Sequence, residues 1–188
     1  MSMEPTPSQT IGPFFHYALF TEDLSELVAP GHPDAIRVEG KIFDGAGDIV
    51  PDAMVEIWQA NAAGRYNHPE DDREDVPLDE NFLGFGRAPT DENGSFSFLT
   101  VKPGAVPGPD GSLQGPHILV SVFARGVLKR LATRIYFPDE EEANEHDPVL
   151  ASVGDPDLRS TLVARSEGGA FRFDIHLRGE KQTVFFDV

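Results

Sequence analysis

Apolar and polar residues alternate along residues 36–43, and the same period of two runs through residues 54–58. In an extended chain that spacing sends successive side chains to opposite faces, so both segments are expected to be half-buried strands. Residues 95–101 follow the tight-turn pair Asn93-Gly94 and predict another strand. Residues 117–124 and 127–137 are long β runs joined at Arg125-Gly126, and residues 171–177 and 183–186 supply two more strands. Helical signals are short. Thr21 is placed to cap residues 22–28, and Asp155 followed by Pro156 has the form of an N-cap with proline at the first helical position, leading into residues 158–164. Short strands at regular intervals with Gly/Pro turns predict an all-β fold, a sandwich or barrel-like single domain with short helices and an extended N-terminal arm. Residues 1–188 are read as one domain, with an arm and short helix over 1–35 and the β core over 36–188. Residues 1–20 are proline-punctuated and expected to be extended, with Ile11, Phe14 and Phe15 needing a surface to dock on. Residues 67–82 form a charged loop long enough to be functional or mobile.

Composition narrows the function classes. The chain has no cysteine, which removes disulfides, thiolate metal sites and a cysteine nucleophile together. Its 15 basic and 32 acidic residues give a net charge of −17, which argues against nucleic acid and anionic membrane as partners. With 18 glycines, 16 prolines and 14 phenylalanines, it reads as a turn-rich folded protein. Nothing between Met1 and Phe15 has the form of a targeting signal, and the best apolar stretch, 118–124, is too short to span a bilayer. The expected location is the cytoplasm.

Spacing alone offers little chemistry. A strand-borne metal site typically needs two ligands at i and i+2, yet no two of the six histidines have that spacing, and His117-Ile118-Leu119 carries a leucine there. Asp91-Glu92-Asn93-Gly94 starts like a calcium loop but lacks the later bidentate glutamate, so a hairpin turn is expected. The acidic run 70–75 either collects a hard cation or is a solvated loop. There is no G-x-S-x-G, and Gly84-Phe85-Gly86-Arg87 does not lead into a helical pattern. Trp58, the only tryptophan, is assigned to the core, and His146 and His176 to structural or surface roles. Arg134 stands out. On its β run Leu131, Thr133, Ile135 and Phe137 share one face, while Arg130, Ala132, Arg134 and Tyr136 share the other. Its guanidinium either pairs with one of the many carboxylates or offers a bidentate fork to a carboxylate ligand.

Three longer stretches resemble signatures of the intradiol ring-cleavage dioxygenases: residues 6–14 (TPSQTIGPF), 56–66 (EIWQANAAGRY) and 86–104 (GRAPTDENGSFSFLTVKPG). Their order and spacing match that family, and Pro116-His117-Ile118 and residues 183–187 extend the likeness along nearly the whole chain. The resemblance implies a β-sandwich. It also implies a non-haem ferric ion, held by two tyrosines and two histidines, that makes a bound catechol reactive toward O₂.

Three of those four ligand positions are changed here. The family's His-x-His strand falls on His117-Ile118-Leu119. One tyrosine is expected just after Lys102-Pro103-Gly104, where Ala105-Val106-Pro107 stands, and the other in the loop where Arg73-Glu74-Asp75 stands. This pattern is similar to the alpha-type, iron-free chain of the family's two-chain members, whose homologous beta chain holds the Fe³⁺. The resemblance implies no catalytic residue and no metal ligand set on this chain. It implies a hetero-oligomer in which Thr10, Gly12 and Pro13 form pocket wall across the interface and Arg134 binds the carboxylate of 3,4-dihydroxybenzoate. The implied reaction is O₂-dependent cleavage of that ring to 3-carboxy-cis,cis-muconate, a step of aromatic catabolism, carried out by the assembly and not by this chain alone. The competing reading is a non-enzymatic β-sandwich ligand-binding or adaptor module.

Overall fold

Alternation over residues 35–43 buries Val38, Gly40 and Ile42 on one side of the first strand and leaves Arg37, Glu39 and Lys41 toward solvent. In the computed structural model, which describes residues 7–187, that pattern recurs in most of the strands. In chain order the elements are α1 (Phe14–Leu19), β1 (Ala35–Phe43), β2 (Met54–Trp58), β3 (Phe85–Pro89), β4 (Ser95–Val101), β5 (Val106–Pro107), β6 (Leu113–Gln114), β7 (His117–Phe123), β8 (Leu131–Tyr136), α2 (Glu141–His146), α3 (Pro148–Ser152), α4 (Pro156–Ser160), β9 (Arg165–Glu167), β10 (Ala170–Arg172) and β11 (Ile175–His176).

Two sheets face each other. In the first, β4 pairs antiparallel with one edge of β1, while β10 and β11 pair parallel with the other and β9 pairs with β10. The second is the antiparallel series β3-β2-β7-β8, and β5-β6 form a separate two-stranded ribbon. Val38, Ile42, Phe96 and Phe98 of the first sheet pack on Val55, Ile57, Ile118, Val120, Val122 and Ile135 of the second. This is the expected all-β sandwich with short helices. A smaller cluster of Tyr136, Leu150 and Leu162 lies beneath the helical segment. Among the described residues no helix is long and apolar enough to cross a membrane.

Gly40 is where the first sheet allows no side chain. A Cβ there would collide with the Phe173 carbonyl, where the chain passes between β10 and β11. Since Phe173 N donates to Glu39 O at 2.8 Å, the backbone cannot retreat without breaking the pairing. Gly40→Ala is expected to cost about 1–3 kcal/mol, read as a lowered urea midpoint with unchanged m-value.

The structure corrects the sequence reading at several places. Residues 22–28 are not helical, because their backbone groups bond to the strand edges: Arg87 N donates to Leu24 O and Leu99 N to Ser25 O. The Asp23 carboxylate, accepting from Ser25 N and Oγ, turns the chain away from helix. Conversely, part of the arm expected to be extended forms α1, its first turn preset by Pro13 at φ −62°. The 127–137 run yields a strand only from Leu131, and 171–177 splits into β10 and β11 because Asp174 Oδ1 instead takes the N–H of Lys41. Residues 183–186 make a single bridge, Ala132 to Phe186. Asp91 and Gly94 do form a tight turn, with Gly94 at φ 69°, but it links β3 and β4 in different sheets and so is not a hairpin. The Asp155-Pro156 cap is as predicted, although its helix stops at Ser160.

Candidate active-site cleft

The outward face of the second sheet carries the chemistry. Trp58 on β2 pairs with Leu119 on β7, which pairs with Arg134 on β8; in the neighbouring row His117 pairs with Tyr136. The predicted face assignment for 131–137 is correct, with Thr133 and Ile135 inward and Arg134 outward. Over this face folds the 59–84 segment. Its anchor is the turn at Asn61–Arg65, where Gly64 adopts φ +84° and a Cβ would strike the Ala105 carbonyl. The charged loop is pinned to the body: Arg65 Nη1 donates to Val76 O at 2.8 Å, Arg73 Nη2 to Gly64 O at 2.7 Å, and Asn61 Nδ2 to Pro77 O at 2.9 Å.

Beneath the loop is a cleft of about 540 Å³ lined by Trp58, Tyr66, His68, Arg73, Val106 and Pro107 among others. Trp58 is a half-buried wall and not a core residue as assigned from sequence, since Tyr66 stacks on it with ring centres 5.7 Å apart at 10°. Arg73 grips Asp71 in a two-pronged pair at 2.7 and 2.6 Å, and Asp71 also accepts from Tyr66 N at 2.8 Å. That environment holds the Asp71 carboxyl down at about 2. The acidic run is therefore partly neutralised from within.

Behind the cleft lies a buried polar chain. Arg134 Nη1 donates to Gln114 Oε1 at 2.6 Å and to Tyr136 Oη at 3.3 Å, and Tyr136 Oη donates to Asp147 Oδ1 at 3.0 Å. Asp147 is fully buried and further accepts from Gly115 N, Val149 N and Leu150 N, so four donors meet one carboxylate. Burial pushes the Tyr136 phenol well above its ordinary value, and Arg134 opposes the shift. His117 is 4% exposed and its Nδ1 donates to Gly115 O at 2.8 Å. Burial first, then the Arg134 charge, pulls its imidazole down to about 4, so it is neutral at physiological pH. Asp147, Gln114 and Tyr136 were not singled out from sequence, though Asp147-Pro148 repeats the cap signature recognised at Asp155-Pro156.

The other predicted site residues lie elsewhere. Thr10 Oγ1 accepts from Gly126 N at 2.7 Å, docking the arm on the β7–β8 turn. Gly12 is exposed with open space where a side chain would be, and Pro13 precedes α1. The turn lies about 17 Å along β7 from the Leu119–Arg134 pair, at ~3.4 Å per residue. Within one chain the arm residues and Arg134 do not converge.

The cleft does bring together the positions where family ligands were expected: Arg73 and Val106-Pro107 line it, and Leu119 lies on the sheet between Trp58 and Arg134. These donors do not fit a ferric ion. A guanidinium, two apolar residues and a leucine replace two phenolates and an imidazole, and the remaining imidazole is shadowed by the Arg134 cation. Among the described residues no three His, Asp or Glu side chains are grouped to hold a metal.

The family model described as "Dioxygenase" matches residues 13–179. The chain belongs to the intradiol dioxygenase family. Among the relatives of this dioxygenase chain, the protocatechuate 3,4-dioxygenase alpha chain of Pseudomonas putida is 40% identical across 97% of this chain and 96% of its own length. The beta chain of the Burkholderia cepacia enzyme is also 40% identical, across 94% of this chain but 77% of its own length. A solved dioxygenase domain from Streptomyces sp. SirexAA-E, part of a dioxygenase–carbohydrate-binding fusion, is 28% identical with a TM-score of 0.60, covering 94% of this dioxygenase chain and 99% of the domain.

Proposed function

We propose that this chain is the iron-free alpha subunit of a cytoplasmic protocatechuate 3,4-dioxygenase, working only with a homologous beta chain that holds Fe³⁺. The assembly adds O₂ across the bond between the two hydroxylated carbons of 3,4-dihydroxybenzoate, giving 3-carboxy-cis,cis-muconate. The observation that carries this reading is the alpha-chain likeness over nearly the whole of both chains, joined to the loss of ligand chemistry at Leu119, Val106-Pro107 and Arg73. Identity alone does not separate alpha from beta, since both relatives stand at 40%; length and the donor set do.

What this chain contributes is surface. Phe14 and Tyr17 of α1 are 80% and 81% exposed. A six-residue helix with no buried residue holds its shape poorly by itself, so two large exposed aromatics favour docking against a partner. Thr10, Gly12 and Pro13, at the base of that helix, then form the wall of the beta chain's pocket, where the backbone at Gly12 leaves room for a ring.

The test is co-expression. Purified alone, the chain is expected to bind no stoichiometric iron, to lack the red-brown colour of tyrosinate-bound ferric iron and to show no ring cleavage. Together with a homologue carrying both tyrosines and His-x-His, it should co-purify and consume O₂ with 3,4-dihydroxybenzoate. Failure to associate, or ferric iron held by the lone chain, would remove the proposal.

A further inference from the structure

Between Thr10 and Leu24 the chain has little to hold it. α1 buries no residue, and the rings around it pack on one another: His16 and Phe20 have centres 5.4 Å apart, Phe15 and Phe20 5.9 Å. Among the described residues, 11–23 make one hydrogen bond to the β-sandwich, Arg87 Nη1 donating to Leu19 O at 3.3 Å. Arg87 is also where the segment rejoins the body, since its backbone N donates to Leu24 O at 3.0 Å. One residue of β3 therefore holds residues 19–24 at both ends.

The plane of that guanidinium is fixed from two sides. Nε and Nη2 both donate to Glu56 Oε1, at 2.8 and 2.7 Å, and Glu56 stands directly opposite Arg87 in the β2–β3 ladder. The Phe85 ring lies 5.3 Å from Arg87 Cζ, close enough for a cation–π contact. With one edge of the fork spent on the carboxylate, Nη1 is the donor left to reach the arm. A lysine would keep a charge for Glu56 but has no rigid fork to hold carboxylate and carbonyl in fixed relation. The β2–β3 pairing itself runs over five residues of each strand and does not depend on this side chain.

We propose that Arg87 is a positioning residue, a clamp that sets where α1 stands and hence how Thr10, Gly12 and Pro13 are presented to a partner. Thr10 docks on the β7–β8 turn, Arg87 holds the far end, and the helix between them is oriented by two anchors instead of by burial. A partner then meets Phe14 and Tyr17 already in place, so less freedom is lost on docking. The consequence for substrate rests on the subunit reading; the clamp does not.

The test is Arg87→Lys, which keeps the cation beside Glu56. In the full chain by itself, chymotrypsin is expected to cut within residues 14–20 roughly 10-fold faster than in the wild type, with the urea midpoint unchanged. Wild-type cleavage in Arg87→Lys, or faster cleavage that only follows a lowered midpoint, would overturn the clamp. In the complex with the beta chain, KM for 3,4-dihydroxybenzoate should rise roughly 5- to 10-fold while kcat stays within about 2-fold. An unchanged KM there would equally reject the positioning role. If the two chains do not associate, the subunit reading falls and the cleavage rates alone decide the clamp.

Discussion

Asp147→Ala is expected to lower the unfolding free energy by about 3–5 kcal/mol, the largest loss for any single polar side chain here. The carboxylate ties the α3 helix to the end of the β7–β8 ladder, where His117 pairs with Tyr136. It caps α3 through Val149 N and Leu150 N, fixes the β6–β7 joint through Gly115 N, and takes the Tyr136 hydroxyl from β8. Truncation leaves four donors without an acceptor, three of them buried, and each unsatisfied buried donor costs more than a hydrogen bond gains. Asp147→Asn keeps one accepting oxygen and is expected to cost less than half as much. Chemical denaturation of both variants checks the order, and near-equal losses would show that charge, not acceptor count, holds the joint.

The second large effect is a loss of stability in mild acid. His117 has a folded value of about 4 against an ordinary 6.5, so between those two pH values the unfolded chain takes up a proton that the folded one refuses. Stability is therefore full above about pH 6.5 and declines by roughly 3 kcal/mol as the pH falls to 4. Asp71 acts in a lower window. Its carboxyl is depressed from 3.8 to about 2, so its contribution persists above pH 3.8 and is lost only as the pH falls toward 2. Denaturant midpoints between pH 7 and 4 should fall for the wild type and stay nearly flat for His117→Asn, which retains a donor toward Gly115 O. A parallel decline in both proteins would assign the effect to other groups.

Most of the core strands could be read from residue order because their cores are built from local alternation: β1, β2, β4 and β7 each show it in a single unbroken run. β3 could not. Phe85-Gly86-Arg87-Ala88-Pro89 has one large apolar residue, and pairing with β2 on one edge and with Leu24 on the other makes it a strand. The failed helix at 22–28 shows the converse, a sound local cap outweighed by bonds to residues 60 to 75 positions away. At the site, the face of Arg134 followed from period two, but its neighbours did not. Tyr66 and Arg73 meet Trp58, beside Val106 of β5, through a loop whose path depends on Gly64, Arg65 and Asn61, and no periodicity encodes such a path. Asp147 was legible in principle, because proline after aspartate at a helix start is a local signal. What could not be read was that the same carboxylate also serves a strand and a tyrosine.

The two edges of β1 have very different histories during synthesis. One is closed by β4, some sixty residues downstream, as soon as residue 101 has left the ribosome. The other waits for residues 171–176, about 130 positions later, and until then presents open backbone groups on a strand rich in β-branched residues. Parallel pairing across so long a separation forms slowly, and the waiting edge invites strands from other nascent chains. Yield in a cell is thus governed by how long that edge stays uncovered, so slower translation through the last third of the message, or a shortage of chaperone, would show up as aggregation rather than as a weakened native state.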